Sequence, residues 1–139
     1  MLNRDSAIKQ NYNVGKFPFN DDIGIFFSEN YNLTIQQIAA WPEEILNVEK
    51  LFSDQFGIHQ QIDFNQGELM KNNSLWRMEP LKWWLLGSTI NLPENLGTSL
   101  ELSHAFTSIK VGGETSEILL NRHLPLDLRL KNFPIHFDL

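Results

Sequence analysis

The chain has 139 residues, 42% of them hydrophobic and 20% charged, which suits one globular domain with a full hydrophobic core. Its net charge is −6 and its Lys and Arg residues form no cluster, which argues against nucleic acid as a partner. It contains no cysteine, which excludes disulfides, cysteine-ligated zinc, iron–sulfur clusters and thiol catalysis.

The hydrophobic runs are short. The longest, Trp83 to Leu86 and Ile118 to Leu120, fall far below the roughly 20 residues that a membrane-spanning helix needs. The first residues, MLNRDSAIKQNYN, lack the apolar core of an export signal. We therefore expect no contact with a membrane and a cytoplasmic location.

Residues 1–22 are rich in Asn, Asp and Lys without a sustained apolar period, which predicts a polar N-terminal tail. A single domain is expected over residues 23–139. Its first predicted strand runs from Tyr31 to Ile38, where Leu33 and Ile35 alternate with polar neighbours.

The clearest helix follows, from Pro42 to Phe56. Pro42 suits the first helical turn, where its missing N–H would have no partner, and Gly57 is placed to end the helix. Hydrophobic residues recur at intervals of three and four and predict one buried face. They are Ile45, Val48, Phe52 and Phe56.

The second half of the chain is predicted to be rich in strands. Residues 59–74 are polar and are expected to form a loop. Four strands are predicted over residues 75–78, 81–86, 100–102 and 106–111, the first two as a hairpin, and a second helix over 114–122. This order predicts an α+β fold, with an antiparallel or mixed sheet and helices on one face.

Ser103 and His104 form the most enzyme-like pair, and Asp127 is the acid that a hydrolytic triad would add. On a strand, however, neighbouring side chains point to opposite faces, so these two cannot act as nucleophile and base. The sequence also lacks a Gly-x-Ser-x-Gly elbow. We therefore assign no catalytic residue and expect one of the two side chains to enter the core.

Metal and nucleotide sites are not expected either. The histidines lack metal-ligand spacing; they are His59, His104, His123 and His136. Gly112-Gly113 opens the second helix without the glycine spacing of a dinucleotide or phosphate loop. Glu114 and Glu117 would also repel an anion there.

Ten Phe and four Trp exceed what one core of this size usually needs, which indicates an interface. Trp83 and Trp84 are neighbours on a predicted strand, so at most one of them joins a core on a single side. The other is covered either by the same chain or by another subunit. The candidates for a subunit interface are Trp83, Trp84, His104 and Phe133.

Six segments occur in the order seen in one known family. They are Ile38-Ala-Ala-Trp-Pro42, Lys82-Trp-Trp-Leu-Leu-Gly87, Leu102-Ser-His-Ala105, Gly112-Gly113, Pro125-Leu-Asp-Leu128 and Phe133-Pro134. In this order the chain resembles the sarcosine oxidase gamma subunits. The segment from Glu101 to Leu128 is also similar to the folate-binding aminomethyltransferases.

The resemblance implies a fold related to the aminomethyltransferase folate-binding domain and a non-catalytic role in assembly. The partners would be alpha, beta and delta subunits that hold FAD, FMN, NAD, folate and zinc, while this chain holds no cofactor. The complex would demethylate sarcosine oxidatively to glycine and pass the one-carbon unit to tetrahydrofolate. A sister enzyme acts on N-methylglutamate, so the substrate stays open. Without its partners, the chain is expected to self-associate.

The chain also departs from the family pattern. It stops at Leu139, before the family's last strands and helix, and it lacks the Gly-Gly-x-x-Asp-Asp segment that holds folate. Glu101 stands where Asp is usual. The competing hypotheses are a stand-alone folate-like binding domain, an enzyme in its own right, and an unrelated α+β interaction domain.

Overall fold

The computed structural model describes residues 5–9, 15–17, 24–125 and 127–128. The chain divides into two compact units. Leu33–Phe106 forms the larger unit, and the described residues before and after that segment form the smaller one. Within the described part of the chain, no helix is long and apolar enough to cross a membrane.

The larger unit contains a five-stranded antiparallel sheet with the strand order β4-β5-β6-β3-β7. Its strands are β3 (Ile35–Ala40), β4 (Gly67–Leu69), β5 (Ser74–Glu79), β6 (Lys82–Leu86) and β7 (Gly97–Glu101). The predicted hairpin is confirmed as β5 and β6, which a register shift between Arg77 and Glu79 bends. The central strand β3 pairs with β6 on one side and β7 on the other.

The predicted first helix is confirmed. A 3-10 turn at Pro42–Glu44 leads into helix α1 (Ile45–Phe56), which ends at Gly57. Gly57 has a φ of 70°, a left-handed conformation that glycine adopts without steric cost, and its N–H donates to the carbonyl of Ser53.

The core of the larger unit lies between α1 and one face of the sheet. Its fully buried side chains are Ile38, Val48, Leu75, Trp83 and Leu85. The ring of Phe52 meets the ring of Trp83 edge-on, with 5.6 Å between the centroids. The sheet therefore has a core face, which α1 covers, and an outer face on the other side.

The smaller unit contains a three-stranded antiparallel sheet with the order β1-β2-β8 and helix α2 (Ser116–His123). Its strands are β1 (Gly15–Phe17), β2 (Ile25–Glu29) and β8 (Ile109–Gly112). Strand β1 lies within the stretch interpreted as a tail. The boundary of that tail stays a prediction.

The α+β fold with antiparallel strands is confirmed, but the strands form two sheets. Three strands lie where none was predicted: β1, β2 and β4. Strand β4 has only three residues, and its backbone pairing with β5 holds it without a hydrophobic pattern of its own. The segment with Ser103 and His104 is a turn and not the predicted strand, because β7 already ends at Glu101.

Candidate functional site

The outer face of the larger sheet carries a row of side chains that crosses all five strands. In register, the row consists of Leu100, Gln37, Trp84, Trp76 and Gly67. Because successive side chains on a strand alternate between faces, Trp84 lies on this face while Trp83 lies in the core. The most aromatic part of the sequence thus contributes to both sides of one sheet.

Both indole N–H groups in this row have acceptors within the chain. Trp84 Nε1–H donates to Gln37 Oε1 at 3.3 Å, and Trp76 Nε1–H donates to Ser74 Oγ at 2.8 Å. The Trp84 ring also packs on the ring of Phe106, with 5.1 Å between the centroids. The indoles therefore offer apolar carbon to a partner and leave no N–H to be satisfied.

Gly67 is required at the end of the row. A Cβ atom at this position would lie 2.3 Å from the Trp76 ring, which is far closer than contact distance. The ring of Trp76 therefore lies directly over the backbone of β4. Any larger residue at position 67 would displace it.

Two further apolar side chains extend the row, Leu69 at 43% exposed and Phe106 at 43%, and Leu100 within the row is 56% exposed. Together with the half-buried Trp76 and Trp84 they define the outer patch. The patch itself carries no charged side chain. Lys82, at its rim, is bound to Glu79 at 2.9 Å. An uncharged aromatic centre with a charged rim is the usual composition of a protein interface.

The predicted site residues lie in different places. Trp83 is 1% exposed, so its inclusion among the interface candidates is corrected: α1 covers it and leaves no surface for a partner. Trp84 belongs to the outer patch. His104 is exposed in the turn after β7. Phe133 lies outside the described residues.

The Ser103–His104 pair does not form a catalytic arrangement. Ser103 is buried, and its hydroxyl oxygen accepts a hydrogen bond from the N–H of Ile35 at 2.8 Å. The N–H of Ser103 donates to Oε1 of Glu101, which tightens the turn. The expectation that one of the pair enters the core is confirmed, and the residue is Ser103. Its hydrogen bond with Ile35 holds this turn against the start of β3.

The structure contains another Ser–His contact that the sequence analysis missed. Ser53 Oγ lies 3.3 Å from His59 Nδ1, on either side of the Gly57 turn that ends α1. The contact is exposed to solvent, and Ser53 also accepts the capping N–H of Gly57 through its carbonyl. This arrangement closes the end of a helix. In the sequence, the signal for this contact is the six-residue spacing of Ser53 and His59 across the predicted end of the helix.

Arg77 is a second residue that the sequence analysis missed. Its guanidinium donates to the carbonyls of Ile62 at 3.0 Å and Pro80 at 2.7 Å, and lies 5.2 Å from the centre of the Trp83 ring. Glu49 of α1 lies 3.7 Å away. Alternation with Leu75 places Arg77 on the core face and could have identified it. The residue joins the loop after α1 to the hairpin.

Among the residues that the structure describes, no group of three or more His, Asp or Glu side chains could hold a metal ion. Gly112-Gly113 forms the predicted connection between a strand and a helix. Gly113 has a φ of 110°, and its carbonyl accepts hydrogen bonds from the N–H and the hydroxyl of Ser116.

Comparison with known proteins finds a match among solved structures. No family model and no curated protein matches the chain. Among solved structures, a chain of the heterotetrameric sarcosine oxidase from Corynebacterium sp. U-96, in complex with pyrrole 2-carboxylate, has a similar fold, with a TM-score of 0.68. The two chains are 14% identical, and the match covers 84% of this chain and 64% of that one.

At 14% identity this likeness concerns the fold. The resemblance to sarcosine oxidase is therefore supported at the level of architecture, for a chain of the heterotetramer. This chain spans about 64% of the length of that chain.

Proposed function

We propose that this chain is a non-catalytic assembly subunit, of the gamma type, in a heteromeric sarcosine oxidase-like complex. The observation that carries the proposal is the outer patch, on a fold similar to a chain of a heterotetrameric sarcosine oxidase. Contiguous exposed apolar surface with a polar rim is typical of sites where proteins bind each other. The six family-like segments support the same role.

The proposed division of labour places the chemistry in the partners. The alpha, beta and delta subunits hold FAD, FMN, NAD, folate and zinc, and this chain holds no cofactor. The complex demethylates sarcosine oxidatively to glycine and transfers the one-carbon unit to tetrahydrofolate in the cytoplasm. The contribution of this chain is a rigid sheet whose outer patch is covered on assembly.

The geometry of the patch favours a stable contact. Trp76 and Trp84 already have acceptors for their N–H groups, so a partner can exclude water from the rings without leaving a donor unpaired. Both rings are held in place by neighbours within the chain. The Trp84 ring packs on Phe106, and the Trp76 ring lies against the backbone at Gly67. A preordered aromatic surface loses little side-chain entropy on binding.

The test is co-expression with the flavin-bearing sarcosine oxidase subunits of the same organism, with a purification tag on this chain alone. We expect the flavin-bearing subunits to co-elute at constant stoichiometry and to oxidise sarcosine. The isolated chain should be colourless and inactive. Recovery of the chain without partners would contradict the proposal, and flavin retained by the isolated chain after dialysis would contradict its non-catalytic part.

A matched pair of variants tests the patch itself. Leu69→Lys places a charge in the outer patch and should weaken co-elution about tenfold or more, since charged groups are excluded from interface centres. Leu46 is 76% exposed on α1, away from the outer face, so Leu46→Lys should leave co-elution unchanged. If both substitutions weakened co-elution equally, the added charge and not its position in the outer patch would be the cause, which would contradict the role of the patch.

A second candidate function is a stand-alone binder of a folate-like molecule. The observation that favours it is an open cavity of about 320 Å³ in the smaller unit. It is lined by Ile25, Thr115, Ile118, Leu119 and Arg122. Calorimetric titration of the isolated chain with tetrahydrofolate tests this candidate. Saturable binding that Arg122→Ala abolishes would favour the binding function over the assembly role.

A further inference from the structure

Helix α2 of the smaller unit is short and has no buried residue. It contains eight residues, and each of them keeps part of its surface exposed. Helices shorter than roughly 12–15 residues are marginal in water by themselves, because most helical stability in proteins comes from the packing of an apolar face. An eight-residue helix without a buried residue therefore indicates a face that another body covers.

One side of α2 is apolar at its centre and cationic at one end. Thr115, Ile118, Leu119 and Arg122 are spaced three and four residues apart, so they lie along the same side of the helix. Together with Ile25 of β2 they line the open cavity of about 320 Å³. Ile118 is 54% exposed, and Arg122 is exposed as well. These five residues are called the α2 groove.

Arg122 is the charged member of the α2 groove and has no acid to pair with. Among the described residues, none accepts a hydrogen bond from its guanidinium or forms an ion pair with it. Glu117 belongs to the same helix but lies five residues away, on a different side. A guanidinium recognises a carboxylate through two parallel hydrogen bonds. The α2 groove is thus complementary in charge to an apolar segment that carries an acid.

This charge also decides what kind of body fits the groove. A second copy that met the groove through the same face would bring no carboxylate to either Arg122, because the groove contains none. Burying a guanidinium without a partner is costly. Sites for small molecules enclose most of the ligand, whereas this cavity is open at Ile118. A protein segment fits better, since helix faces with this spacing commonly dock against apolar protein surfaces.

We infer that the α2 groove is a second assembly surface, which takes an apolar segment of a partner subunit with an Asp or Glu side chain opposite Arg122. The partner's apolar side chains cover Ile118 and Leu119, and its carboxylate accepts the hydrogen bonds of the guanidinium. The inference rests on the proposed assembly role and extends it, because the smaller unit then has a contact with the partner that is separate from the outer patch.

The test measures how tightly the flavin-bearing sarcosine oxidase subunits of the same organism bind the full-length chain. The tagged chain and its variants are immobilised at equal density, and the flavin absorbance retained at increasing subunit concentration gives the dissociation constant. Arg122→Glu should raise this constant about tenfold or more, because it places a carboxylate against the partner's acid. Arg122 is exposed, so the variant should fold, which circular dichroism checks.

Lys110 offers a matched control for the change in charge. It is exposed on β8 directly opposite Ser28, so the two side chains share a face of the smaller sheet. Ser28 is three residues from Ile25, which places Ile25 and the α2 groove on the other face. Lys110→Glu makes the same change in net charge as Arg122→Glu and should leave the dissociation constant unchanged.

A second pair of variants tests the apolar part of the α2 groove. Ile118→Ser should raise the dissociation constant about fivefold or more, since it removes the most exposed apolar side chain of the groove. Leu124 is 43% exposed in the same unit and does not line the cavity, so Leu124→Ser should leave the constant unchanged. Both side chains are exposed, and neither substitution should unfold the chain.

Several outcomes would overturn the inference. If Lys110→Glu weakened binding as much as Arg122→Glu, net charge and not the α2 groove would be the cause. If neither Arg122→Glu nor Ile118→Ser weakened binding while Leu69→Lys did, the assembly role would stand and the second surface would not. A wild type that bound no flavin-bearing subunit would overturn both. Tetrahydrofolate binding that Arg122→Ala abolishes would assign the cavity to a small molecule and so contradict the inference.

Discussion

Trp83 and Trp84 are adjacent in the chain and identical in chemistry, but they have different environments. Trp83 is 1% exposed between Phe52 and Arg77, whereas Trp84 lies half-buried on the outer face against Phe106. The core face is covered by α1, and the outer face presents a prepared apolar surface. The difference teaches that the hydrophobic content of this sheet serves two purposes, folding on one face and association on the other.

The largest expected effect separates the two tryptophans. Trp83→Ala removes the largest side chain of the core and should lower the free energy of unfolding by about 3–5 kcal/mol. Trp84→Ala should lower it by only about 1–2 kcal/mol, because its ring is already in part in contact with water. Urea denaturation followed by circular dichroism measures both. Equal losses would mean that the outer face belongs to the core.

A smaller effect separates two cations on opposite faces. Arg77→Ala removes a largely buried group that donates to two carbonyls, and should cost about 1.5–3 kcal/mol of unfolding free energy. Lys82 forms a surface ion pair with Glu79, so Lys82→Ala should cost at most about 1 kcal/mol. The same denaturation experiment applies. If Lys82→Ala were the more damaging change, the assignment of Arg77 to the core face would be wrong.

The smallest effect concerns Ser103 and His104. Ser103→Ala leaves the buried N–H of Ile35 without its acceptor and should cost about 1–2 kcal/mol. His104 is exposed, so His104→Ala should change stability by less than about 0.5 kcal/mol. Neither change should alter turnover per bound flavin in a reconstituted complex. A catalytic base at His104 would instead lose about 10²–10⁴-fold in rate at normal flavin content.

The parts of the fold that sequence patterns predict are those with local signals. Helix α1 has an apolar stripe, a proline at its start and a glycine at its end, and the structure confirms all three features. The β5–β6 hairpin has strongly hydrophobic strands around a short turn. Strand β4 has no comparable pattern, and its pairing with the neighbouring β5 holds it. Strand β2 is hydrophobic at its start, but it pairs with the distant β8, which no local signal predicts.

The candidate site was predictable only in part. Alternation requires Trp83 and Trp84 to face opposite sides, but it cannot assign the sides, because that depends on where α1 packs. The sequence pattern predicts a strand for Ser103 and His104 because they follow Leu100-Glu-Leu102 directly. The register of β7 with β3 ends the strand earlier. The outer patch joins residues from four strands and from the segment after β7, a juxtaposition that only the sheet order reveals.

Among the described residues, the larger unit is one continuous segment, whereas the smaller unit combines segments from both sides of it. Leu102 N–H donates to the carbonyl of Ile35, so folding of the larger unit brings its own two ends together. Closing an open loop of roughly 80 residues costs more chain entropy than joining two segments whose ends are already adjacent. During synthesis the larger unit can fold as soon as Phe106 has left the ribosome. Strand β2 can pair with β8 only after β8 has been synthesised. By then the folded larger unit has already brought together the two chain segments that carry these strands.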